Sequence, residues 1–184
     1  MSHIRVPWER WEQSGRVGAR AELHDVRLLS LTTELKDFGS EPPYVADLEV
    51  ESSIQREDGA SHIVISAEYS LKARAFGPEQ VRDDESVQPA VVAAEVSFTL
   101  LALYSLRELA DGAEEATTDE LEAFAETTGL MALHPYAREL IQDQTARLGL
   151  PALTIGVAQI AQLSQADNKP KRTRRKRKVP TSDA

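Results

Sequence analysis

The chain has 184 residues, 41% of them hydrophobic, and a formal net charge of −9, so one sizeable core with tails is its simplest organisation. It contains no cysteine, which excludes disulfides, thiolate nucleophiles and Cys-based zinc or iron–sulfur sites. The charge is an average of two unlike parts. Residues 169–184 carry eight Lys or Arg against Asp183 alone, a +7 tail that leaves a body of −16, which repels nucleic acid and favours solubility.

No stretch approaches the ~20 apolar residues that a bilayer span needs, and the opening MSHIRVPWERWEQSG has no apolar core to serve as a signal peptide. The expected location is the cytosol. In the first fifteen residues Trp8 and Trp11 have the i, i+3 spacing of one helical face, which fits a docked helical turn or a frayed terminus.

From Ala21 to Thr33 the apolar parity switches between Leu23 and Val26, as in a strand with a bulge. Gly39-Ser40-Glu41-Pro42-Pro43 stops it. Tyr44, Ala46, Leu48 and Val50 then alternate with Asp47, Glu49 and Glu51, the period of a half-exposed strand. The turn signal Asp58-Gly59 leads into Ile63, Ile65, Ala67, Tyr69 and Leu71 on one face, so the second and third strands should pair antiparallel.

After an acidic loop from Gly77 to Gln88, Val92, Ala94, Val96, Phe98, Leu100, Ala102 and Tyr104 share one parity of the longest strand. The opposite parity is also apolar at Val91, Ala93, Leu101 and Leu103, so both faces of this strand call for cover.

The helical part opens at Thr117, with Glu120 at capping-box spacing and Gly129 placed to close a short helix. A longer helix follows through Leu130, Leu133, Ala137, Leu140, Ile141 and Leu148, ending at Gly149 with Pro151 beyond. Ala152 to Ile155 reads as extended, Val157 to Ser164 as a marginal helical turn, and the tail as disordered. Strands first and helices last indicate an α+β domain with a mostly antiparallel sheet. The domain limits expected are a polar segment at 1–18, a single folded body at 19–165 and a basic tail at 166–184.

The motifs of catalysis are missing. His3, His24, His62 and His134 fall in different elements without HExxH or i, i+4 pairing, and there is no GxSxG, P-loop or GxGxxG. No cofactor or metal is expected, and the many carboxylates read as solvated surface. A hydrolase built on His134 and Glu139 would rest on sequence adjacency alone, since residues five apart on a helix are not neighbours.

The segment LHPYARELIQDQTARLGLPALTI, Leu133 to Ile155, resembles the most diagnostic part of the SecB chaperones. The residues that carry the likeness are Pro135, Tyr136, Ala137, Arg138 and Glu139, then Ala146-Arg147, Gly149, Pro151 and Leu153. Ala94-Glu95-Val96 and the strand from Ala21 to Glu34 are similar more weakly, so the likeness covers residues from about 20 to 160, a span typical of a single core.

The resemblance implies a four-stranded antiparallel sheet with helices packed on one face, assembled as a dimer of dimers. It further implies an ATP-independent holdase that binds unfolded clients in long apolar grooves and has no catalytic residue. Matched by position, the groove residues are Tyr44, Leu48, Val92, Val96 and Phe98, for which plain core is the competing reading. Glu34 and Glu95 match positions that dock the SecA motor, while another acidic docking position falls on Ser30.

The tail KPKRTRRKRK also departs from the family pattern and marks a divergent relative, similar as such to the solitary SecB-like chaperones associated with toxin–antitoxin pairs, which hold an antitoxin. Export and antitoxin control both follow from the likeness. The alternative from another class is a nucleic-acid-associated adaptor acting through Lys169 to Lys178.

Overall fold

The computed structural model describes residues 7–40, 42–56, 60–75, 91–107 and 114–155. Helix α1 (Trp8–Gly18) precedes four strands, β1 (Ala21–Leu35), β2 (Tyr44–Gln55), β3 (His62–Ala75) and β4 (Val91–Leu106). A helical run then passes through α2 (Thr118–Phe124), a π-helical segment (Ala125–Gly129) and α3 (Leu130–Arg147). The expected turn at Asp58-Gly59, the loop from Gly77 to Gln88, the turn from Val157 to Ser164 and the basic tail lie outside the described residues.

The strands form one antiparallel sheet in the order β1-β4-β3-β2, as the α+β reading anticipates. Both central strands alternate strictly along most of their length. Ile63, Ile65, Ala67, Tyr69 and Leu71 of β3, and Val96, Phe98, Leu100, Ala102 and Tyr104 of β4, point to one face and form the core. Onto this face pack Phe124 from α2 and Leu133, Ala137 and Ile141 from α3, whose four-residue spacing keeps the last three on one helical stripe. Burying each Leu, Ile or Phe contributes about 1.5–3 kcal/mol.

Local chemistry sets the ends of the helices. The Thr117 hydroxyl accepts from the Glu120 amide while the Glu120 carboxylate accepts from the Thr117 amide, a closed capping box. At the other end Gly149 takes φ +79°. Its amide donates to the Ala146 carbonyl and the Leu150 amide to the Thr145 carbonyl, the paired bonds of a Schellman cap.

Gly129 does not end a helix. It lies inside the π segment, and a Cβ there would overlap the Ile65 side chain and press on the Phe124 carbonyl. Glycine at this point lets the helical run pass against the sheet without stopping. Pro135 likewise sits inside α3, where it removes one donor from the helical ladder without breaking it.

The parity of β4 also differs from simple alternation. Ala73 pairs with Ala94 but Arg74 pairs with Val92, so Ala93 is an extra residue, a bulge whose carbonyl accepts from the Lys36 and Asp37 amides. Val92 is thereby turned to the face of Arg74, away from Val96 and Phe98. Val91 takes its place, opposite Ala75. On β1 two further irregularities, at His24 and Leu29, account for the parity switch seen in the sequence.

Helix α1 runs over three turns and packs on α2 and the π segment, with Val17 inside the core. The Arg10 guanidinium donates to Glu126 at 2.7 Å and Arg16 to Glu120 at 3.0 Å, so a cation on each half of α1 reaches the neighbouring helical run.

Candidate functional site: an apolar sheet end and an open acidic face

The helix-covered face is closed at its centre and less so at one end. There Val91, Ala75 and Tyr44 form one cross-strand row, with Leu48 four residues along β2. Tyr44 and Leu48 are partly buried, and the Tyr44 hydroxyl donates to the Ser40 carbonyl at 2.6 Å. Tyr44, Leu35, Leu148 and Leu153 pack around Ala73, Ala94 and Leu150 as a satellite cluster under the chain that leaves α3. Thr145 fixes that chain, donating to the Ile141 carbonyl and accepting from the Leu153 amide.

Phe38, in the connection between β1 and β2, is 90% exposed, and Val91 is 45% exposed. An isolated exposed apolar side chain is ordinary, but an aromatic ring left almost wholly in water makes Phe38 a candidate contact residue. Sequence reasoning passed over both residues. Phe38 sits in a polar loop without periodicity, and Val91 takes its place only through the bulge.

Of the five matched groove positions, Tyr44 lies at this end, and the partly buried Leu48 stands further along β2 in the row of Leu71 and Val96. Val96 and Phe98 are core, Phe98 stacking on Tyr69 with centroids 4.8 Å apart, and Val92 lies on the opposite face. The motif residues Pro135, Tyr136 and Arg138 are on the outer side of α3, whereas Gly149 and Pro151 shape its exit.

The other face of the sheet carries no helix among the described residues. Glu34 and Glu95 are directly opposed there, and Lys36 lies between them, 2.6 Å from Glu34 and 3.5 Å from Glu95. The Glu34 bond, more than the Coulombic attraction of the two carboxylates, raises the Lys36 pKa. Ser30 faces the same side and donates to Thr99 at 3.0 Å.

Near its middle this face sinks into a depression of about 330 Å³ floored by Ser and Thr and rimmed by Glu49, Glu51 and Glu68. Among the described residues no group of three or more His, Asp or Glu is placed to hold a metal ion, and no helix is long and apolar enough to cross a membrane.

Buried hydroxyls complete the electrostatic picture. Burial, with a smaller contribution from nearby Tyr136, pushes the Tyr104 pKa up to about 12, and burial raises Tyr69 as well. Neither hydroxyl hydrogen-bonds to a described residue. Both rings lie inside the apolar core.

An antiparallel sheet backed by helices on one side, with an apolar margin and an acidic open face, places the protein in the α+β class. Comparison with known proteins names the class more closely. The chain is 32% identical over 148 residues to the SecB-like chaperone Rv1957 of Mycobacterium tuberculosis strain H37Rv, covering 77% of this chain and 80% of that one. The counterpart MT2006 from strain CDC 1551 matches equally well. The solved structure of Rv1957 in complex with a ChAD peptide from the Rv1956 HigA1 antitoxin superposes with a TM-score of 0.70 at 28% identity, covering 83% of this chain and all of that one. No family model matches. The chain belongs to the SecB-like chaperone family.

Proposed function

We propose that this protein is an ATP-independent holdase whose client is an antitoxin-type chain, bound at the apolar sheet end formed by Tyr44, Leu48, Val91 and the adjacent Phe38. The single observation that carries the reading is the 90% exposure of Phe38, one residue past the Asp37 amide that bonds Ala93 at the partly covered sheet end. A client segment laid there would remove apolar area from water at about 25 cal/mol per Å², without reading a sequence closely. The antitoxin peptide held by the relative supports this choice of client.

We take the working form to be a dimer of dimers in the cytoplasm. Strand β1 is a sheet edge with Leu23, Leu28, Leu29 and Leu31 between 37% and 64% exposed, and an uncovered apolar edge of fifteen residues invites pairing with another strand. Coupling to SecA through Glu34 and Glu95 is the weaker reading, because Lys36 already binds both carboxylates.

The test is purified protein added to a chemically denatured client without nucleotide, with light scattering and sedimentation velocity as readouts. Delayed client aggregation by a tetramer is expected; a monomer that leaves aggregation unchanged overturns the proposal.

A further inference from the structure

The open face carries two pairs of directly opposed glutamates, and they are treated differently. Glu34 and Glu95 share Lys36. Glu51 and Glu68 are opposed in the same way across β2 and β3, with Glu49 two residues along, yet none of the three makes an ion pair with a described residue. Like charges directly opposed on adjacent strands destabilise a sheet unless a cation intervenes. The other cations of this face do not meet that need. Arg27 is bound to Asp25 and Arg74 to Asp47, while Lys72 stands four residues from Glu68 along β3, about 13 Å away.

The surroundings of the pair are shaped for long side chains. Two cross-strand rows, Glu51-Glu68-Thr99-Ser30 and Glu49-Ser70-Ser97-Thr32, make up the depression. The carboxylates stand at the β2 side, and short hydroxyl side chains leave room beside them. A guanidinium or ammonium on a flexible stem fits such a trough, its stem along the floor and its head between the carboxylates.

We infer that the occupant is the chain's own basic segment, Lys169–Lys178, which docks across the Glu49–Glu51–Glu68 depression of the same protomer. The segment carries eight cations in ten residues. Thirteen residues, and so fourteen Cα–Cα steps, separate Ile155, the last described residue, from Lys169. Such a connection spans up to about 46–50 Å, whereas four strands are only about 14 Å across, so it reaches round the sheet edge. A tether of this length sets a local concentration of about millimolar, so weak individual ion pairs suffice for occupancy. The docked tail covers the opposed glutamates and shields the face from other basic partners. This inference is independent of the client reading, which concerns the opposite side of the sheet.

The test is zero-length carbodiimide cross-linking of the full chain, read by peptide mass spectrometry. Amide links from Lys169, Lys171, Lys176 or Lys178 to Glu49, Glu51 or Glu68 are expected at low salt, with their loss at about 1 M salt, where screening acts within about 3 Å. The Glu49→Gln, Glu51→Gln, Glu68→Gln chain should lose these links while keeping its circular dichroism spectrum. An equal mixture of isotopically light and heavy protein separates the sources: light–light and heavy–heavy links alone support a same-protomer tail. Mixed links at these positions, links spread over Glu22, Glu114 and Glu122, or no tail links at all overturn it.

Discussion

Gly129 and Ile65 approach so closely that a methyl group on Gly129 would occupy the space of the Ile65 Cδ1. Ile65 is fully buried on β3, and the Phe124 carbonyl closes the other side at 3.2 Å, so neither neighbour yields easily. Gly129→Ala gains up to about 1 kcal/mol of helix propensity but should lose about 1–3 kcal/mol to overpacking. Urea unfolding should therefore show net destabilisation, and Ile65→Val should recover part of it. An alanine variant as stable as the parent would show that the helical run can lift from the sheet.

The Arg10–Glu126 pair joins α1 to the π segment, and its hydrogen bond holds the Glu126 carboxyl below its usual range. A depressed carboxyl stabilises the fold above its unfolded pKa, and that contribution is lost as pH falls through the folded value. Glu126 is 45% exposed at its side chain, so solvent limits the coupling to about 0.2–1 kcal/mol. A double-mutant cycle with Arg10→Ala and Glu126→Gln should return a coupling of that size near pH 7 that shrinks progressively as pH falls through the acidic range.

Tyr104 and Tyr69 work at the other end of the scale. A phenol whose pKa is raised in the fold stabilises the protein below the unfolded value of about 10, and the contribution fades as pH rises from there towards the folded value, about 12 for Tyr104. Alkaline titration should show unfolding together with tyrosine ionisation. Tyr104→Phe removes a buried hydroxyl without a described partner, so stability at neutral pH should stay level or rise by up to about 1 kcal/mol, and the alkaline transition should move upward.

Phe38 separates binding from folding. With 90% of its surface exposed it adds little to the fold, so Phe38→Ser should leave the unfolding free energy from urea titration within about 0.5 kcal/mol. Loss of an aromatic anchor at a binding surface costs about 1–2 kcal/mol, a five- to thirtyfold weaker client affinity by titration calorimetry. Unchanged affinity would move the client surface elsewhere.

Strand β1 offers a test of assembly. Leu28→Asp with Leu31→Asp places charge on the exposed apolar edge, where unpaired strands otherwise associate. Sedimentation velocity should show a smaller species, while the core on β3 and β4, which these leucines only border, keeps the chain folded.

The strand and helix elements were legible because their physics is local. Alternation along Tyr44–Gln55 and His62–Ala75, the capping box at Thr117 and the left-handed Gly149 each depend on residues a few positions apart. The family likeness of Leu133 to Ile155 belongs to the same level, since Gly149 and Pro151 shape a helix exit. What the tertiary structure alone decided depended on contacts between distant segments. One inserted residue at Ala93 turned Val92 away and brought Val91 to the apolar end. Packing against Ile65 made Gly129 a point of close passage within one helical run. Strand order and register placed Lys36 between Glu34 and Glu95 but left Glu51 and Glu68 facing each other uncovered. Periodicity assigns a residue to a face, but only pairing between strands decides which charges and apolar groups meet there.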